Sequence, residues 1–196
     1  MKANVSRKTL WLTTFICGWT LLAAGVEAAA PPFSVIGKSA PDFTLTDQSG
    51  QPIRLGQFRG KLVLLNFIYT NCIDVCPITT AALVRAQNGL IRRGWWATDV
   101  VFVSVTTDPQ RDTPAAFKMY AKRYQADARG WHFLTGSPRT VEGVLKQYGI
   151  LVRKKAKGLQ DHYLPTFVID RQGVVLGAYG IDPDPNNVLS DLAKLR

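Results

Sequence analysis

Between Lys61 and Tyr69 the chain is apolar at nearly every position: Leu62, Val63, Leu64, Leu65, Phe67 and Ile68. A strand with one wet face alternates in polarity. A run that does not alternate is buried on both faces, which requires a sheet covered by helices on each side. This segment alone selects an α/β layered architecture. The rest of the sequence agrees with it. Pro77 suits the first turn of a helix, continuing through Ala81, Ala82, Leu83, Val84 and Leu90 to a stop near Gly94. Asp99–Val105 alternates and is predicted as a second strand. Asp112 or Thr113 caps a helix with Pro114 at its first position, ending near Tyr124. Trp131–Leu134 reads as a short strand, and Ser137-Pro138 opens a helix to Tyr148. Thr166–Asp170 and Val174–Tyr179 flank the turn Arg171-Gln172-Gly173, and Asp184–Leu195 closes the chain as a helix. Upstream, Phe43–Thr46 and Pro52–Leu55 flank Asp47-Gln48-Ser49-Gly50, a hairpin signal. Strands alternating with helices, ending strand–turn–strand–helix, fit a thioredoxin-like sheet of mixed direction.

The first residues carry a different signal. Lys2, Arg7 and Lys8 precede an apolar stretch from Leu10 to Val26, followed by Val26-Glu27-Ala28-Ala29-Ala30. A positive region, an apolar region and small residues in that order make a secretory signal, with cleavage after Ala28, or else an uncleaved membrane anchor. Residues 1–28 are therefore read as the leader, 29–37 as an Ala/Pro/Gly-rich linker, and 38–196 as one domain. The domain is expected outside the cytoplasm, in the periplasm or tethered to the outer face of the inner membrane. Membrane contact is expected only through the leader, if it stays attached. The formal charge is +10, and 21 basic residues against 13 acidic remain beyond the leader. No arginine-rich run or nucleic-acid motif accompanies this surplus, so no nucleic-acid partner is expected. The densest basic cluster, Arg153, Lys154, Lys155 and Lys157, reads as a solvated loop.

Export sets the cysteine arithmetic. Cys17 lies in the leader, and Ile16 before it is too bulky for a good lipoprotein cleavage site. Cys72 and Cys76 are then the only pair in the domain. Bridging so short a loop would stabilise the fold by only roughly 2 kcal/mol on the loop-entropy argument, so the spacing points to chemistry. Both cysteines stand where the buried strand turns into a helix. Unpaired backbone N–H groups and the helix dipole favour a thiolate there. A thiolate is both the nucleophile of disulfide exchange and a soft metal ligand. Two of them suit Cu(I), whereas Zn(II) prefers four ligands. The chain has only two histidines, His132 and His162. His132 heads a strand between aromatics and is expected to be structural. His162, just ahead of a late strand, is the candidate third ligand, because in a thioredoxin-like fold that loop lies beside the active-site turn.

The sequence resembles the Sco/SenC proteins, copper-binding assembly factors of cytochrome c oxidase. The resemblance spans about residues 38–194. It is carried by Ala40-Pro41-Asp42-Phe43-Thr44-Leu45, by Asn66-Phe67-Ile68-Tyr69-Thr70-Asn71-Cys72-Ile73-Asp74-Val75-Cys76-Pro77, by Thr107-Asp108-Pro109-Gln110-Arg111-Asp112-Thr113-Pro114, by Phe133-Leu134-Thr135-Gly136, and by Asp161-His162 before Asp170. It implies a thioredoxin-like three-layer fold, a central mixed sheet flanked by helices with an N-terminal hairpin. It implies copper, Cu(I) or Cu(II), bound by Cys72, Cys76 and His162. The implied function is a metallochaperone delivering copper to the CuA-bearing subunit of the oxidase, or to another copper or thiol partner. Asp108 and Asp112 match family positions, but a turn and a helix cap account for both. Asp74, between the cysteines, is expected to be exposed, with tuning of the charge at the thiols as the lesser reading.

Two other functions stay in view. In a thiol–disulfide reductase, Cys72 and Cys76 would be the redox-active pair and His162 dispensable. Pro165-Thr166 favours this reading, since the pair departs from the Sco pattern and resembles the cis-proline loop of thiol–disulfide oxidoreductases. A peroxidase of the peroxiredoxin kind would need Pro-x-x-x-Thr-x-x-Cys, and Tyr69 stands where that pattern has Thr.

Overall fold

The structure is a computed structural model that describes residues 33–154, 159–162 and 164–196, with Lys154, Asp161 and His162 described in their backbone alone. The leader, Cys17, Lys155, Lys157 and Tyr163 lie outside the described residues. Among the described residues, no helix is long and apolar enough to cross a membrane.

The apolar run forms strand β3, Leu62–Ile68, with every residue buried. It pairs in parallel with β4 (Val100–Thr106) and antiparallel with β8 (Thr166–Ile169). β5 (Trp131–Leu134) adds in parallel to β4, and β9 (Val175–Tyr179) adds antiparallel to β8. The sheet order is β5-β4-β3-β8-β9, so the apolar run is the central strand of a mixed sheet, as its composition requires. β4 was expected to alternate, yet it too is wholly buried. It lies between β3 and β5 with both faces covered, and its polar residues are satisfied inside: Ser104 donates to Asn66 Oδ1 at 2.6 Å and accepts from Trp131 Nε1 at 2.9 Å.

Helices α1 (Val75–Arg92), α2 (Pro114–Tyr124) and α4 (Pro185–Leu195) form one layer. Phe117 and Tyr120 of α2 pack on Phe133 of β5. Thr80 of α1 and Tyr120 share a hydrogen bond of 2.8 Å. Gly89 lets α1 approach α4, since a Cβ there would sit 2.5 Å from Leu189 Cδ1. The other layer is α3 (Pro138–Gln147) with the aromatic cluster of Phe33, Phe43, Phe67, Tyr148 and Phe167. Within the segment read as a linker, Phe33 and Val35 are buried against this cluster and core.

The hairpin of β1 (Thr44–Thr46) and β2 (Pro52–Arg54) forms where expected. Asp47 shapes its turn by accepting from Ser49 N–H, Ser49 Oγ–H and Gln51 N–H. The buried Gln48 side chain donates to Trp131 O and accepts from Phe133 N–H. It thereby satisfies the outer edge of β5, which would otherwise face water with unpaired backbone.

Of the two caps expected for α2, Asp112 and Thr113, the structure uses Thr113, which accepts from Ala116 N–H at 3.2 Å. A second hairpin was not foreseen: β6 (Val152–Lys154) pairs antiparallel with β7 (Gln160–His162). Arg153, from the basic cluster, is exposed on β6.

Phe167 is fully buried and touches Phe33, Phe67 and Tyr148. Phe167→Ala is expected to destabilise the domain by about 3–5 kcal/mol, measured as a lowered urea midpoint with an unchanged slope.

Candidate dithiol and metal site

Strand β3 delivers the chain to the end of the sheet, and the next residues turn at once into α1. Cys72 N–H donates to Tyr69 O at 3.2 Å, closing a tight turn. Asp74 is the residue before α1, and its Oδ1 accepts Val75 N–H at 2.6 Å. Cys76 therefore stands at the second position of the helix and Pro77 at the third, inside the first turn. Cys76 N–H donates to Cys72 Sγ at 3.3 Å, while Cys72 S–H donates to Asp74 Oδ1 at 3.2 Å. Both cysteines are buried and unbridged. Ile73 between them is 77% exposed. The sulfurs thus face one point under a turn whose tip meets solvent.

Cys76 does not behave as a helix-terminus thiolate. The neighbouring Cys72 sulfur and burial push its thiol well above the usual cysteine range. The dipole of α1 is outweighed because a thiolate at Cys76 would sit in the core beside a second sulfur and the Asp74 carboxylate. A soft cation bridging both sulfurs would remove that penalty by displacing the thiol protons. The donor set, two buried sulfurs brought to one turn with Cys76 N–H on Cys72 Sγ, fits a thiophilic ion.

Behind the cysteines lies a set of residues whose roles sequence reasoning missed. Tyr69 is buried, and its hydroxyl accepts from Gln160 N–H at 3.2 Å. Burial and the adjacent Cys72 sulfur push the phenol up, so it remains protonated. The Gln160 side chain accepts from Thr107 Oγ1–H at 2.7 Å and donates to Thr107 O at 3.3 Å. Strand β7 is thereby fastened to the cysteine turn and to the loop after β4. His162 belongs to that strand, with its backbone two residues on from Gln160. The His162 side chain lies outside the described residues, as does that of Asp161. Among the described residues, no group of three His, Cys, Asp or Glu side chains is placed to hold a metal. The sequence signal for Tyr69 was its position, an aromatic hydroxyl ending the apolar run just before the cysteines.

The remaining candidates fall as follows. Asp74 is exposed and caps α1 while accepting from Cys72. Asp108 is buried and accepts from Arg111 Nη1 at 2.7 Å. Asp112 is fully buried and accepts from Thr70 and Thr106, and burial pushes its carboxyl up. His132 is mostly buried on β5, its ring 5.2 Å from Phe58 and its Nδ1 3.9 Å from Asp47 Oδ2. Burial holds it below the usual histidine range, in keeping with a structural residue. No peptide bond among the described residues is cis. The Leu164–Pro165 link is therefore trans, and the cis-proline loop expected of Pro165 is not formed. Pro165 instead leads into Thr166, which pairs with Asn66 on the central strand.

A mixed sheet of this order, with two thiols where its central strand meets the first helix, defines a thioredoxin-like dithiol domain. The chain belongs to the SCO1/SenC family, whose model matches residues 36–196. It is 30% identical over 155 residues to a SCO1 protein homolog of Bacillus subtilis, covering 76% of this chain and 79% of the relative. It is similar to Arabidopsis thaliana ScoI with copper bound, at 26% identity and a TM-score of 0.69, covering 79% of this chain and 96% of that one. It is also similar to BsSco, a member of the Sco family of cytochrome c oxidase assembly proteins in which a disulfide switch was identified. That match has 28% identity and a TM-score of 0.69, covering 80% of this chain and 92% of that one.

The thiolate is the form that alkylates. With its proton held more tightly than usual, Cys76 in the reduced, folded protein is expected to react with iodoacetamide at about pH 8 at least about tenfold more slowly than the same residue in urea. Peptide mapping by mass spectrometry over a time course checks this.

Proposed function

We propose that this protein is a copper metallochaperone, holding copper through Cys72, Cys76 and His162 and delivering it to the CuA centre of cytochrome c oxidase. The observation that carries the reading is the convergence of two sulfurs in one buried turn, with Cys76 N–H on Cys72 Sγ. The copper-bound relative and the oxidase-assembly relative support it. Two sulfurs and one imidazole form a three-coordinate set that suits Cu(I) and leaves Zn(II) short of a ligand. The anchoring of β7 by Tyr69 and Thr107 brings the backbone of the His162 strand to the same end of the sheet. Three ligands also suit a carrier, since the ion leaves stepwise as each bond is exchanged for one from a recipient. The signal or anchor read in residues 1–28 supports work outside the cytoplasm, in the periplasm or at the outer face of the inner membrane.

Disulfide exchange is the second reading, and the closeness of the two thiols favours it. Losing two protons and two electrons to a partner disulfide would join Cys72 to Cys76 and leave the partner with two thiols. That chemistry needs no histidine.

The two readings separate on His162. Purified protein is expected to bind one copper ion, measured by titrating Cu(I) against a chromophoric chelator. Cys72→Ala and Cys76→Ala are expected to abolish tight binding, and His162→Ala to weaken it by about tenfold or more. Copper binding unchanged in His162→Ala would overturn the three-ligand centre. Turnover of a partner disulfide that survives the same substitution would favour the reductase.

A further inference from the structure

Among the described residues, Asp112 is the one carboxylate that is wholly enclosed with hydrogen bonds to both of its oxygens and no cation paired with it. Its Oδ1 accepts from Thr70 N–H at 3.1 Å and from Thr70 Oγ1–H at 2.5 Å. Its Oδ2 accepts from Thr106 Oγ1–H at 2.6 Å, and that same hydroxyl accepts Asp108 N–H at 2.8 Å. Its own N–H donates to Asp108 O at 2.9 Å. The end of β3, the end of β4 and the loop leading to α2 therefore meet on one side chain that is 0% exposed. Capping does not explain it, because Thr113 caps α2. Burying a carboxylate is costly unless its oxygens are satisfied, and two of the three donors gathered on it come from Thr70, two positions before Cys72. Between the buried Tyr69 and Cys72 the turn bulges outward, with Asn71 exposed and Ile73 and Asp74 exposed just beyond.

We propose that Asp112 is the positioning residue of the dithiol, pinning Thr70 so that the turn from Tyr69 to Cys72 holds the Cys72 sulfur against Cys76. It touches neither sulfur and acts through Thr70. The inference rests on Cys72 and Cys76 being the working pair, but not on which ion or partner they serve. Its physical content is effective concentration. Two thiols held in place form a disulfide more readily than two thiols on a loose turn, because the orientation is already fixed. Releasing Thr70 lowers the equilibrium constant for closing the Cys72–Cys76 bond. In that reaction oxidised glutathione takes the two electrons and both protons and leaves as two molecules of reduced glutathione.

The experiment equilibrates full-length wild type, Asp112→Ala, Asp112→Asn and Thr70→Val with mixtures of reduced and oxidised glutathione and counts free thiols by mass spectrometry. Asp112→Ala and Thr70→Val are expected to lower the equilibrium constant by about tenfold, which raises the two-electron potential by about 30 mV. Asp112→Asn keeps an oxygen for Thr70 and is expected to stay within about threefold of wild type. Circular dichroism establishes that each variant is folded. Thr70 is only partly buried, so Thr70→Val decides the matter if Asp112→Ala does not fold. A folded Thr70→Val with the wild-type constant would overturn the proposal. So would Asp112→Asn shifted as far as Asp112→Ala, which would place the effect in the charge. Cu(I) titration of the wild type runs alongside: failure to bind would sink the copper reading and leave the thiol equilibrium, and this inference, standing.

Discussion

Everything at the functional end depends on one strand being buried on both faces. β3 is paired on each side and covered above and below, so its direction and its end point are fixed by the whole core. The cysteines follow that end point by four and eight residues. Their position is therefore inherited from the packing of Leu65, Phe67 and their neighbours, and not from the turn itself. Hydrophobic burial, which has no directionality, sets where the site is. It does not set how the sulfurs face each other.

That second task falls to hydrogen bonds, which are directional and individually modest. Asp112 holds the turn from the side of α2, Tyr69 and Gln160 hold β7 from below, and Asp74 caps α1. Asp112 and the Tyr69–Gln160 pair link segments far apart in sequence, while Asp74 acts within its own turn. The network lies in a core where such groups would be costly if left unpaired. Its residues are accordingly satisfied by one another, and the site becomes a place where three loops share fixed distances. The cost appears at Cys76, whose proton is held tightly until something replaces it.

How much of this could be read from the sequence follows from the range of each signal. β3, α1 and the late strand–turn–strand–helix ending are local patterns and appear where their residues predict. The cysteine pair is local as well, and so is the family resemblance, which the family match bears out. Asp112 was readable only as a cap or a turn residue, because Asp-Thr-Pro offers two caps and the sequence says nothing of Thr70, 42 residues away. The β6–β7 hairpin escaped because three-residue strands rich in charge carry no periodicity. β4 looked alternating because Ser104 is polar, and its buried partners Asn66 and Trp131 lie on other strands. Pro165 was read from a dipeptide whose backbone geometry the dipeptide does not determine.

The Gln48 side chain on the border of β5 has a consequence for how the domain meets other molecules. An open sheet border is an adhesive surface, offering any extended chain a place to zip on regardless of its sequence. Here that border is occupied from within, by Gln48 on Trp131 and Phe133 and by Thr46 on Thr135. Crowded copies of the domain cannot join there by strand addition. Encounters on this flank are left to side chains, which discriminate, and not to backbone, which does not. A protein carrying two thiols in one turn is thereby protected from indiscriminate company along that side of its sheet.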